Sequence, residues 1–324
     1  MSEVEGATNV LAQARAVPAV PSPLPGLSRH GWPWSHVCAG AASSVEQWPR
    51  ISVVTPSLNQ GAYLEAAMRS VLLQAYPHLE YIVLDGGSQD QSKQVIEHYA
   101  SNLHYWRSEK DEGQSDAIAR GLERASGDVL CWLNSDDLLL PGALSHVARL
   151  FTQYQGTRFV YGNRLVINAA DEIISRHTWP RILTRYHWAM GQPMAQECCF
   201  WTRELYEQVG GLDRSRLFTM DHDLFYRMWR VAKFRKTPAV LGCWRTHDQT
   251  KNTRHQDVRQ RELAATRSEF GLRKPGPLMA RVINHLDRWQ SARESRALPP
   301  LQLGVRVNEL PEVQLRVSSD PRVI

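Results

Sequence analysis

The chain has 324 residues, 43% hydrophobic and 22% charged, enough to bury a sizeable core in one large domain or two smaller ones. Its net charge of +5 is unevenly placed: residues 251–324 hold 14 Lys/Arg against 8 Asp/Glu, which leaves 24 basic and 25 acidic residues in the first 250. A body so close to neutral excludes a basic nucleic-acid groove, and no nucleic-acid partner is expected.

No run of 18 apolar residues occurs, so no membrane-spanning helix is expected. Residues 1–16 carry Glu3 and Glu5 and no apolar stretch of the signal-peptide kind. The five cysteines (Cys38, Cys131, Cys198, Cys199, Cys243) form no CxxC pair and read as buried thiols of a reducing compartment. A cytoplasmic protein is the expectation.

Residues 1–49 contain six prolines and no sustained period, as in an extended or partly disordered lead-in on which Trp32 and Trp34 could dock. Regularity begins at Ile51–Thr55, a β-branched run closed by Pro56. Tyr63–Leu73 then has apolar residues at helical spacing, Tyr81–Leu84 reads as a strand, Gln91–Tyr99 as a helix and His104–Arg107 as a strand. Ser115–Ala125 follows as a helix and Asp128–Leu133 as a strand. Strands alternating with helices of about ten residues imply right-handed crossovers and a mostly parallel sheet covered on both faces. In such sheets sites lie at the carboxyl ends of the strands.

Later elements are a helix at Pro141–Leu150 and a strand at Arg158–Ile167 continuing into Asp171–His177. A strand at Ala195–Trp201, helices at Arg203–Val209 and Asp223–Val231, and a last strand at 234–244 complete the body. A polar helix is expected at Arg254–Phe270 and another at Leu278–Trp289, with Leu278, Val282, Leu286 and Trp289 on one stripe. Three segments follow: a lead-in (1–49), an α/β body (50–250) and a basic helical extension and tail (251–324).

Four acidic turns sit at strand ends or helix starts. Asn134-Ser135-Asp136-Asp137 places adjacent carboxylates after a strand, where they repel unless a cation is bound; Asp137 could also be a plain helix cap. Asp85-Gly86-Gly87-Ser88 fits either a tight turn or a pocket where glycines admit a nucleotide and the carboxylate accepts a hydrogen bond. Asp111-Glu112-Gly113-Gln114-Ser115-Asp116 is a helix cap or a site, and in Met220-Asp221-His222-Asp223 one acid could cap and the other act as a base. His247, after the last strand, is either structural or an added ligand. Neither GxGxxG nor GxxxxGK[ST] is present, which counts against dinucleotide and P-loop enzymes.

The ordered set Ile51-Ser52-Val53-Val54-Thr55-Pro56-Ser57-Leu58-Asn59-Gln60-Gly61, Asp85-Gly86-Gly87-Ser88, Asp111-Glu112-Gly113-Gln114-Ser115-Asp116-Ala117 and Trp132-Leu133-Asn134-Ser135-Asp136-Asp137 resembles glycosyltransferase family 2 over about residues 50–250. The resemblance implies a GT-A fold, an α/β architecture with a mostly parallel mixed sheet and helices on both faces. It also implies an inverting transferase using a nucleotide-diphosphate-sugar, UDP-type favoured, with Mn²⁺ or Mg²⁺. Thr55, Pro56, Ser57, Asn59, Asp85, Gly86, Asp111, Gln114, Ser115 and Asp136 would then line the nucleotide-sugar pocket. Asp137 of this DXD-like motif and His247 would hold the metal, and Asp221 would be the base, with Met220 where the family usually has glutamate. Trp188, Gln196, Glu197, Trp201 and Asp223 are placed toward the acceptor, a glycan, a lipid-linked saccharide or another hydroxyl compound.

Alternatives are a sugar-phosphate nucleotidyltransferase, for which residues 57–61 lack the expected basic residue, and an inactive nucleotide-sugar-binding protein. The stripe near Arg281 and Arg288 either rests on the inner face of an anionic membrane or packs on the catalytic domain with a solvated basic face.

Overall fold

In the computed structural model, residues 19–25, 30–35, 37–38, 48–248 and 256–310 are described. The elements run β1 (Ile51–Ser57), α1 (Gly61–Leu72), β2 (Leu79–Asp85), α2 (Ser92–His98), β3 (Tyr105–Ser108), α3 (Gln114–Arg124), β4 (Val129–Trp132), β5 (Leu138–Leu139) and α4 (Ala143–Gln153). They continue with β6 (Phe159–Ile167), β7 (Ile173–His177), α5 (Arg185–Met190), β8 (Cys199–Thr202), α6 (Arg203–Gln208), α7 (Met220–Val231), β9 (Phe234–Arg245), α8 (Gln256–Glu269) and α9 (Pro277–Ala297).

One sheet runs in the order β3-β2-β1-β4-β8-β6-β9-β5, with β7 added along β6. β3, β2, β1 and β4 are parallel, and β8 enters antiparallel between β4 and β6. β1, β2 and β4 are buried along their lengths, the signature of strands covered on both faces, and Tyr81, Ile82, Val83, Leu130 and Trp132 belong to the main core. The parallel register pairs Ser57 with Asp85 and Asp85 with Ser108, so three strands end at one level. That alignment brings residues far apart in sequence to one edge.

Several elements differ from the sequence expectation. β5 is only two residues long and takes its strand form from antiparallel pairing with Gly242 and Cys243 of β9. The expected continuous strand across residues 158–177 is a hairpin, β6 to β7, turning through Asp171 at φ +67°. Gln196–Cys198 forms a 3-10 turn ahead of β8, and α5 carries no period long enough to announce it. Helix α7 begins three residues earlier than expected, which puts Asp221 inside its first turn.

The flanking segments pack on the body. Trp32 is buried, its indole N–H donating to the Leu139 carbonyl at 2.9 Å. At the other end, Ile173 donates to the Val305 carbonyl, and Val307 and Leu310 join Trp32, Trp34, Leu138, Ile167 and Cys243 in a second core cluster. All five cysteines are buried, and none forms a disulfide among the described residues.

Trp188 and Trp201, expected toward the acceptor, are core residues with no exposed surface. Trp201 packs with Trp132, Phe159 and Phe225, while Trp188 packs with His222, Tyr226 and Trp229. Aromatic rings buried in such clusters gain from both area and ring geometry. Replacing either with alanine should lower unfolding stability by about 3–5 kcal/mol, whereas Trp289→Ala, at an exposed position, should change it by less than about 0.5 kcal/mol. Urea titration of the three variants tests this, and a mild Trp201→Ala phenotype would contradict the packing.

Candidate active site at the carboxyl edge of the sheet

The site begins where β1, β2 and β3 stop. Asp85, almost fully buried, accepts from the Ser88 amide at 2.9 Å and the Ser108 hydroxyl at 2.8 Å. Gly86 donates to the Ser57 carbonyl, and a Cβ there would come within 2.9 Å of an Asp111 carboxylate oxygen. Glycine therefore lets the Asp111 loop close over the end of β2. Burial pushes the Asp111 carboxyl above its ordinary pKa, with Asp116 and Asp85 adding like charge. Asp85, Tyr105, Arg107, Asp111 and Arg120 line a cavity of about 330 Å³. Ser57 is buried, and its hydroxyl makes no hydrogen bond to the described residues.

Asn134 links this region to the acidic motif. Its carbonyl accepts from Gln114 at 2.9 Å, and its amide reaches Asp137 at 3.1 Å and Gln196 at 3.3 Å. Gln196 in turn donates to the Trp132 carbonyl at 2.7 Å, fixing the turn after β4.

The pairing of Leu138 with Cys243 sets Asp136 and Asp137 beside the end of β9. Asp137 is 1% exposed and accepts from the Arg245 amide at 3.0 Å. Burial drives its pKa well above the ordinary value, and the charges of Asp136 and Glu197 push it further up. Asp136 lies 3.1 Å from His247 Nε2, and the Tyr63 ring sits 4.7 Å from the His247 ring. Arg245, equally buried, donates to the Asp136 carbonyl at 2.8 Å, pairs with Asp171 and lies 4.8 Å over Tyr63. A second opening of about 610 Å³ is lined by Asn59, Tyr63, His247 and Asp248.

Asp221 stands in the first turn of α7. Burial raises its pKa to about 6; the His222 amide and Arg259 lower it, and Glu197 raises it. Glu197 is buried, pairs with Arg164 at 3.5 Å, and acts electrostatically on both Asp137 and Asp221. The Gln196–Glu197 turn thus adjoins the acidic motif on one side and the base candidate on the other.

Five expected site residues have partners or packing of their own within the chain. The buried Thr55 hydroxyl bonds Tyr81 at 2.9 Å, and Pro56 beside it is buried inside β1. Ser115 donates to the Arg216 carbonyl. Asp223 is buried, accepts from Arg227 at 3.0 Å and lies 3.5 Å from Arg216. Asn59 ties the first loop to the second, accepting from the Gln89 amide at 2.8 Å. Tyr63, Asn134 and Arg245 were not singled out from the sequence as site residues. Their signal there was adjacency alone, Asn134 and Arg245 standing within two or three residues of Asp137 and His247.

Among the described residues no three His, Cys, Asp or Glu side chains converge as a metal-binding group. The donors at hand, Asp137 with Asp136 and His247, fit a hard cation that takes most of its ligands from a diphosphate and water. Asp136 and Glu197 crowd like charge against Asp137 at this edge.

This arrangement of sheet, glycine turn and acidic motif is that of a GT-A glycosyltransferase. The Glycosyl transferase family 2 model matches residues 52–208. An uncharacterized glycosyltransferase of Mycobacterium tuberculosis is 40% identical over 200 residues, covering 60% of this chain and 73% of that one. The chain belongs to glycosyltransferase family 2. It is also 33% identical over 122 residues, 36% of the chain, to a Campylobacter jejuni GalNAc(5)-diNAcBac-PP-undecaprenol beta-1,3-glucosyltransferase, of which it spans 39%. A putative teichuronic acid biosynthesis glycosyltransferase of Bacillus subtilis is 37% identical over 92 residues, 28% of this chain and 36% of that one. Among solved structures, the mannosyltransferase of Pyrobaculum calidifontis in complex with GDP-Man and Mn²⁺ shares the fold at a TM-score of 0.53 and 16% identity, covering 75% of this chain and 70% of that one. Staphylococcus aureus TarS 1-349 in complex with UDP-GlcNAc gives 0.52 at 14% identity, covering 67% and 66%.

The Asp221 environment has a consequence for stability. Its folded pKa of about 6 exceeds the ordinary carboxylate value near 4, so its contribution is fully present below pH ~4 and is lost as pH rises through 6. Asp221→Asn should therefore melt at a higher temperature than the wild type at pH 8, with the difference vanishing near pH 4. Thermal melts across that range check it.

Proposed function

We propose that the chain transfers a sugar from a nucleotide-diphosphate-sugar, UDP-linked, to an acceptor hydroxyl with inversion, as a step in cell-surface glycan synthesis. The observation that carries this reading is Asp221, a carboxyl with a pKa near 6, standing beside the Gln196–Glu197 turn that also buttresses the acidic motif. In the reading, the base fits the cavity between Asp85 and Asp111, the ribose lies toward Asp136, and the diphosphate lies near His247. A carboxylate at Asp85 suits a base that offers a ring N–H, as uracil does.

Asp137, with Asp136 and His247, would hold Mn²⁺ or Mg²⁺, which when bound draws charge from the diphosphate and makes it a better leaving group. Asp221 accepts the acceptor's hydroxyl proton while that oxygen attacks the anomeric carbon from the face opposite the diphosphate. The new carbon–oxygen bond forms as the bond to the diphosphate breaks, and the proton stays on Asp221. One displacement inverts the configuration with no covalent intermediate. The ion-paired Asp223 has no free carboxylate for this role, which favours Asp221. The names of the Campylobacter and Bacillus relatives support a lipid-linked or polymeric saccharide as acceptor.

Thermal shift with UDP, GDP and dTDP, each with and without Mn²⁺, is the first test. UDP with Mn²⁺ should stabilise the chain most, by about 2.7 kcal/mol at a hundredfold excess over Kd. Asp137→Ala should lose the Mn²⁺-dependent part of the shift. Asp221→Asn should keep it yet lower kcat by about 10²–10⁴-fold, and the wild-type kcat should rise with pH through about 6. Near-normal turnover by Asp221→Asn at saturating acceptor would remove Asp221 as the base.

A further inference from the structure

Helix α9 divides its side chains by charge. Its inward face is Ile283, Asp287, Ser291 and Glu294, at helical spacing. Ile283 is buried, Asp287 lies 3.2 Å from His187, Ser291 bonds Thr178, and Glu294 takes the buried Lys236 ammonium at 2.6 Å. Arg176 adds a bond to the Ser295 carbonyl at 3.3 Å. Both acids of the helix are thus used to fasten it to the body, and the helix is held in a fixed orientation.

The outward face has the opposite character. Leu278, Val282, Leu286 and Trp289 are 76%, 47%, 58% and 61% exposed, and Met279 extends the strip. Arg281, Arg288, Arg293 and Arg296 are exposed around it, with Arg273 and Lys274 just ahead of the helix. No acidic residue of α9 lies on that face. A contiguous apolar strip on a monomer's surface needs a reason to stay in water, and a ring of arginines without acids selects what covers it.

We propose that the outward face of α9 docks on an anionic lipid bilayer, the strip entering the headgroup–acyl boundary while Arg281, Arg288, Arg293 and Arg296 meet lipid phosphates. A helix lying in the interface needs an apolar face of large aromatic and aliphatic residues and a basic flank, and α9 has both. Trp289, with Arg293 5.8 Å from its ring, carries the amphipathic aromatic suited to that depth. The inference stands on α9 alone and does not require the transferase reading.

The test is flotation of the full chain with vesicles of phosphatidylglycerol mixed with phosphatidylcholine and with vesicles of phosphatidylcholine only. The chain should float with the anionic vesicles, stay behind with the neutral ones, and be released at about 0.5 M NaCl, where exposed charges are screened. The double variant Leu286→Glu/Trp289→Glu should lose at least about tenfold in bound fraction. Arg281→Glu/Arg288→Glu should lose at least about fivefold per arginine removed. Both variants replace exposed side chains and should keep the wild-type Tm, which separates lost docking from lost folding. No flotation with anionic vesicles, equal flotation with neutral ones, or binding unchanged in Leu286→Glu/Trp289→Glu would overturn the proposal. So would light scattering showing a dimer that this variant dissolves, since the face would then belong to a second copy.

Discussion

The structure depends on a carboxylate kept where its charge is costly. Asp137 is almost wholly buried, next to Asp136 and within the field of Glu197, and its relief within the chain comes from the Arg245 amide and Asn134. Three acids so close would ordinarily relax apart or stay protonated. Here the backbone forbids the first, because β5 is pinned to β9 and Arg245 clasps the Asp136 carbonyl, Asp171 and the ring of Tyr63 together. Protonation remains, and the Asp137 carboxyl accordingly titrates well above the ordinary carboxylate range.

Much of this was legible in the chain, and the limits were physical. Strands β1, β2 and β4 carry β-branched and apolar runs because they are covered on both faces, and those runs can be seen without coordinates. The acidic and glycine-bearing turns that follow them were visible too, and a parallel sheet leaves its carboxyl edge open. β5 could not be read: two leucines are a strand only because Gly242 and Cys243 lie alongside. The hairpin between β6 and β7 depends on one residue, Asp171, adopting positive φ, and aspartate gives only a weak local signal for that.

Side-chain partners were hidden from the sequence for a related reason. Ser115 and Asp223 have the right chemistry at the right spacing, yet the Ser115 hydroxyl donates to the Arg216 carbonyl, 101 residues on, and the Asp223 carboxylate is held by Arg227 of its own helix and by Arg216. A motif specifies residue types; which of them keep a free lone pair is decided by long-range partners. The tryptophans show the same limit. Trp188 and Trp201 lie inside and Trp289 lies outside, although composition treats the three rings alike.

The two halves of the site are also held by different means. The half containing Asp85 rests on parallel strand ends whose register fixes Ser57, Asp85 and Ser108 at one level. The half containing Asp221 lies beyond residue 208, where the family model stops matching, and no strand end supports it. Glu262 of α8 does that work instead: its carboxylate accepts from the successive amides of Leu217, Phe218 and Thr219, at 2.7, 2.6 and 2.7 Å, at the entrance to α7. Thr266, one turn further along α8, bonds Thr219 at 3.1 Å and Arg216 at 2.8 Å. A carboxylate receiving three amides is a charge-assisted clamp stronger than the same number of neutral contacts. The position of Asp221 relative to Asp137 is therefore set by the basic C-terminal segment. That segment, which supplies the chain's excess of positive charge, fastens α7 with one helix and turns the arginines of the next to solvent.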